Sequence, residues 1–168
     1  RGLGDVYKRQ NTDIYEGTFI TTRYTVNTSD IDQRFLLTDN RADTSTLTVK
    51  VQTSSTDSTS TTYTEATDIT QVTASSAVYF LQEVEAGLYE IYFGDGVIGK
   101  ALSSGNVVIL SYVVTNTTEA NGASSFSNTG AISGVTDVTV ATVSNANGGG
   151  AAETLASIKY NAPLDYSS

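Results

Sequence analysis

Residues Tyr89 to Lys100 constrain the fold more than any other segment of the 168-residue chain. The run Leu88-Tyr89-Glu90-Ile91-Tyr92-Phe93 is apolar at most positions. It stops at Gly94-Asp95-Gly96, and Gly99-Lys100 follows. A second apolar run extends from Val107 to Thr115. β-Branched and aromatic residues on both sides of a Gly-Asp-Gly break predict a strand, a tight turn and another strand. Asp and Gly accept positive φ at little cost, so a type I′ turn at Asp95-Gly96 is the structural expectation. Gly94, Asp95, Gly96 and Gly99 are therefore singled out as a structural turn motif. The competing reading gives the Asp95 carboxylate a ligand or metal to hold.

Other segments carry the same period of two. Phe19 to Val26 is a candidate strand with Ile20, Tyr24 and Val26 on one face, and Arg34 to Leu37 is a short one that could pair nearby. Thr46 to Gln52 alternates cleanly, with Leu47, Val49 and Val51 on one side and Thr46, Thr48, Lys50 and Gln52 on the other. That pattern describes a strand with one buried and one wet face. Thr53 to Thr62 is almost entirely Ser and Thr and reads as a solvated loop or hairpin tip. Val78 to Glu83 and Leu88 to Phe93 flank Glu85-Ala86-Gly87, which predicts a hairpin. Tyr89, Ile91 and Phe93 share one face, with Leu88 and Tyr92 opposite. Val108, Leu110, Tyr112 and Val114 oppose Val107, Ile109 and Val113. Strands apolar on both faces suit packing between layers, so both are expected in the core.

Composition shifts near Asn116. Small residues dominate from Asn121 to Gly134, and Val138, Val140 and Thr142 then suggest another strand. Asn145 to Gly150 is a loop by composition. Ala151 to Tyr160 has helical spacing, with Leu155 and Ile158 three apart, and Pro163 lies just beyond. The fold class is thus mainly β: antiparallel strands in a sandwich-like or mixed β arrangement, with one short C-terminal helix. Residues 11–120 form a β domain. Residues 121–168 are a small-residue-rich segment that starts a following domain.

Residues 1–10 stand apart. They match the in-frame translation of what looks like a transposase adapter used to prepare sequencing libraries, and are expected to be an artefact rather than a genuine basic N-terminal arm. The chain has no Met, so it is expected to be an internal fragment of a larger protein. The net charge is −9; the first ten residues carry three positive charges and one negative, so the rest carry −11. An acidic surface disfavours nucleic acid and anionic lipid, and favours solubility and basic partners.

No Cys or His is present, which excludes disulfides, thiolate or imidazole metal sites and Ser-His-Asp chemistry. No apolar run approaches the roughly 20 residues of a membrane helix. Asp30 with Asp32, and Glu83 with Glu85, are carboxylates two apart that could share a strand face for calcium or acid/base work. A solvated face or loop is the plainer reading. Gly148-Gly149-Gly150 lacks the Gly-Lys-Ser/Thr ending of a phosphate loop and reads as a hinge or linker. Asn27-Thr28-Ser29 and Asn116-Thr117-Thr118 match a glycosylation acceptor pattern, unsurprising in a Thr-rich chain.

Taken in order, several blocks resemble the baseplate wedge subunit of T-even-type contractile-tailed phages, a family distantly related to the baseplate J-like proteins. The blocks are Thr44 to Gln52, Val78 to Glu83, Tyr89 to Lys100, Leu110 to Asn116, Ala120 to Ala123, Gly149 to Ala151 and Ile158 to Pro163. The resemblance runs from about residue 16 onward. It implies a non-enzymatic structural component of a phage tail baseplate wedge, without cofactor, catalytic residue or metal. Such a protein acts through self-association and by docking other baseplate wedge proteins. It resides in the virion tail baseplate after assembly in the bacterial host cytoplasm, with no nucleic-acid or membrane partner. Partner contacts are expected on loops and on the block after Gly150, where Leu155 and Ile158 form an apolar patch. The alternative is an extracellular β-sandwich module for adhesion or carbohydrate binding. The absence of Trp, a common stacking platform for sugars, counts against it.

Overall fold

In a computed structural model, which describes residues 11–151, seven strands account for most of the regular structure. They are β1 (Thr18–Thr25), β2 (Phe35–Leu37), β3 (Ala42–Gln52), β4 (Ser60–Glu65), β5 (Val78–Glu83), β6 (Tyr89–Phe93) and β7 (Val107–Val114). They lie in one mixed sheet of order β1-β7-β3-β4-β5-β6-β2 that curls into a nearly closed barrel. Every pairing is antiparallel except β4 with β5, which run parallel through Thr64↔Val78 and Glu65↔Tyr79. Of the two arrangements expected from the sequence, the mixed one is therefore found.

β7 is the central strand of the larger half. It pairs along its whole length with β1, from Thr18↔Val114 to Thr25↔Val107, and on its other side with β3. Val108, Leu110 and Tyr112 have no exposed surface, and Val107 and Ile109 on the opposite face are also buried. That outer face is flanked in register by Arg23 and Lys50 beside Ile109, so their aliphatic stems border it. β3 begins earlier than its clean alternation suggests and carries an irregularity between Asp43 and Thr48. There the Thr46 Oγ1 accepts the Val113 N–H at 2.9 Å, replacing a ladder bond that the bulge removes.

Inside the barrel, four aromatic rings meet edge to face. Tyr24 contacts Phe35, Phe35 contacts Phe93 and Phe93 contacts Tyr63, with centroids 5.6, 5.4 and 5.5 Å apart. The chain of rings joins β1, β2, β6 and β4, only two of which are neighbours in the sheet. Between the two ends of the sheet, side chains take the place of a ladder. The Tyr24 hydroxyl donates to Leu36 O at 2.8 Å, and Thr38 N–H donates to the Tyr112 hydroxyl at 3.1 Å.

Several sequence expectations are corrected. The last part of the Ser/Thr tract is strand: Ser60 opens β4, because Tyr63 supplies a buried anchor (3% exposed) and β3 a pairing partner. Arg34 to Leu37 does not pair nearby; Phe35 lies opposite Ile91. β6 is not apolar outside. Its outer face carries Glu90 and Tyr92, and Tyr92 is partly exposed. β6 and β7 are not hairpin partners but lie on opposite sides of the sheet order. No strand forms over Val138 to Thr142; Val138 is half-buried, the rest of the stretch is exposed, and none of it joins the sheet. The short helix expected over Ala151 to Tyr160 falls, beyond its first residue, outside the described residues, as do Leu155 and Ile158.

Candidate functional site

The Gly-Asp-Gly segment leaves β6 and folds back on itself. The Asp95 carboxylate accepts the backbone N–H of Val97 at 2.8 Å and of Ile98 at 2.9 Å. Those bonds favour its charged form and hold its pKa below the usual 3.8, the bond from Ile98 first. Gly96 donates to Gly99 O at 3.0 Å, and Gly94 bridges to Ala101. Gly96 and Gly99 have φ of 89° and 83°, whereas Asp95 is not among the positive-φ residues. The segment is thus an Asp-capped loop and not a type I′ turn, which needs positive φ at both central positions.

Gly94 and Gly99 meet backbone to backbone. A Cβ on Gly94 would lie 2.5 Å from the Gly99 Cα and closer still to its carbonyl. The loop is also tied to the turn before β5, with Gly99 N–H donating to Thr73 O at 3.1 Å and Lys100 N–H to Ser76 O at 2.9 Å. The structure therefore brings Gly94, Asp95, Gly96 and Gly99 together, and the carboxylate is already occupied by backbone donors.

A cluster that sequence reasoning missed lies on the outer face of β6. Glu90, only 4% exposed, receives a two-pronged ion pair from Arg34, with Nε–Oε1 at 2.9 Å and Nη2–Oε2 at 2.5 Å. The Tyr92 hydroxyl donates to the same carboxylate at 2.9 Å. The Arg34 guanidinium is the main reason the Glu90 pKa lies below its ordinary 4.5, and the Tyr92 bond adds to it. The Tyr92 phenol is pushed up by the same carboxylate. Arg34 and Glu90 are 56 residues apart, and only the β2–β6 pairing brings them together. The cluster borders a shallow open cleft of about 230 Å³ between Val26, Phe35, Phe93 and Leu102, with Asn27, Asp30 and Gln33 at its rim.

The carboxylate pairs do not assemble a site. Asp30 and Asp32 lie in an exposed loop in which Asp32 N–H donates to Asp30 Oδ1, and Glu83 and Glu85 are exposed. Among the described residues, no group of three or more acidic side chains is placed to hold a metal ion. None of the helices among them is long and apolar enough to cross a membrane. Gly149 is tied to Asn121, whose side chain donates to Gly149 O at 2.8 Å and accepts its N–H at 3.0 Å. Asn27 and Asn116 both sit at exposed or partly exposed turns.

Several large apolar side chains remain exposed. Phe19 is 69% exposed at the start of β1, with Ile14 and Tyr15 just before it; Ile31 and Val97 protrude from loops.

No curated protein matches the chain. The family model for the bacteriophage baseplate wedge protein gp6, third domain, matches residues 20–119, which run from β1 through the end of β7. The matched stretch contains all but the first two residues of the seven strands, the Asp-capped loop and the Arg34–Glu90 cluster, and on that extent the chain belongs to the baseplate wedge gp6 third-domain family.

Proposed function

We propose that this chain is a structural part of a phage tail baseplate wedge, whose parent protein works by associating with itself and docking other wedge proteins. The observation that carries this reading is the family match across the barrel, residues 20–119. In this reading residues 11–120 are one β domain and residues 121–168 open the next. Residues 1–10 are translated adapter and take no part. The chain is an internal fragment of its parent. It uses neither nucleic acid nor membrane as partner, consistent with its acidic surface, and assembles in the host cytoplasm before residing in the virion tail. Gly94, Asp95, Gly96 and Gly99 shape the loop after β6 and have no chemical role.

Co-expression of the intact parent with the neighbouring wedge genes, followed by sizing and electron microscopy, tests the reading. The expected result is a co-purifying wedge complex. A parent that stays monomeric with every neighbour, yet binds a glycan or turns over a substrate, overturns it.

A further inference from the structure

β1 is an edge strand whose open side is legible from its bonding. Its even-numbered residues face β7: Val26 N–H donates to Asn106 O, and the even pairs Ile20↔Tyr112, Thr22↔Leu110 and Tyr24↔Val108 continue the same phase. Phe19, Thr21, Arg23 and Thr25 therefore aim their backbone N–H and C=O away from β7. At the Thr25 end this edge is covered. The Gln33 amide donates to Thr25 O at 2.8 Å and accepts Asn27 N–H at 2.9 Å, standing in for a neighbouring strand. At Phe19, Thr21 and Arg23, no backbone group among the described residues pairs with the edge. β2, at the other end of the sheet, meets this edge through the Tyr24 hydroxyl, which donates to Leu36 O, and forms no strand ladder with it. The exposed stretch has no Pro and no bulge, and Arg23 is its one charged residue.

The same three residues form a self-complementary pattern. If two copies of β1 run antiparallel about a two-fold axis at Thr21, Thr21 faces Thr21 and Phe19 faces Arg23 twice. All six side chains stand on the exposed outer face. Each opposed pair exchanges both backbone bonds, and each guanidinium reaches an aromatic ring. Among the described residues, the one hydrogen bond of the Arg23 side chain is a long 3.4 Å contact to Gln52, weak enough to be given up.

From this we infer that the β1 edge, centred on Thr21, is a docking surface for a second copy of this chain, joined by antiparallel strand addition. The inference rests on the self-association in the reading above and assigns it a surface and a register. Strand addition gives affinity through the main chain, while the Phe19–Arg23 pairs fix the register.

Sedimentation of the 168-residue chain over a concentration series tests it, comparing wild type, T21P, F19R and F19R/R23E. Wild type should associate to a dimer. T21P removes the N–H at the axis, which faces away from β7, and should give a folded monomer by circular dichroism. F19R places like charges opposite each other twice and should weaken association about ten-fold or more. F19R/R23E sets opposite charges face to face and should restore it, an outcome specific to this register. A wild type that is monomeric throughout overturns the inference. So does a dimer indifferent to F19R, or a double variant no tighter than F19R. The intact parent carrying F19R separates the two readings. If it self-associates as wild type does and joins the wedge, the edge inference falls and the baseplate reading stands. If even the wild-type parent joins nothing, the baseplate reading itself falls.

Discussion

Gly94→Ala offers the sharpest test of the loop after β6. The added methyl would sit 2.5 Å from the Gly99 Cα and nearer to its carbonyl, against an ordinary carbon–carbon contact of roughly 3.5–4.0 Å. The two backbones must therefore part by more than about 1 Å. Gly99 cannot yield freely. Its N–H is bonded to Thr73 O, its carbonyl accepts Gly96 N–H, and the next residue is bonded to Ser76 O. Losing two or three such bonds, at about 1 kcal/mol each, with the bridge to Ala101, gives a cost of about 2–4 kcal/mol. Gly96→Ala is the internal control. Its methyl would meet only the Ala101 Cβ, at 3.7 Å, so its cost comes from a φ of 89° alone, about 1–2 kcal/mol. Urea unfolding of the two variants measures both costs, and in thermal melts the Gly94→Ala midpoint should drop by roughly 5–15 °C. The reasoning is refuted if Gly94→Ala matches wild type, or if Gly96→Ala is the more damaging change.

Asp95→Asn should be nearly silent in the same assay, because the amide oxygen accepts the Val97 and Ile98 N–H groups as the carboxylate does. Asp95→Ala should lower the unfolding midpoint, because the Val97 and Ile98 N–H groups lose their acceptor; a silent Asp95→Ala would show that these bonds contribute nothing. Tyr112→Phe should destabilise by about 1–2 kcal/mol, since the Thr38 N–H loses its acceptor while the ring still fills the core. Amide exchange at Thr38 should accelerate at the same time, and unchanged exchange would count against a hydroxyl closure of the barrel. Glu90 and Asp95 both titrate below their ordinary 4.5 and 3.8, so both bind protons more readily when unfolded. Their contribution to stability is fully present above those values and is lost as pH falls through the lower folded ones. Thermal midpoints should therefore fall in acid, and Glu90→Gln should flatten the decline; a midpoint independent of pH down to about 3 would contradict the assignment.

The sequence alone determined the strands that carry their own pattern. Leu47, Val49 and Val51, and Val108, Leu110, Tyr112 and Val114, alternate because one face of each strand must leave water, and that requirement is written locally. It also marked Gly94 to Gly99 as the place where β6 must end. Tertiary structure decided the rest. β4 carries one apolar anchor among Ser and Thr, so only β3 beside it makes it a strand. Val138 to Thr142 has the pattern but no neighbour to pair with, and does not become one. The burial of Glu90 cannot be read from Tyr-Glu-Ile, because its compensating charge comes from Arg34, 56 residues away. Gly94 looked like a turn residue, yet what requires it is the Gly99 backbone lying against it. Local alternation reports which face is buried; it is silent on the strand that arrives alongside, and pairing, closure and the open edge of β1 all depend on that arrival.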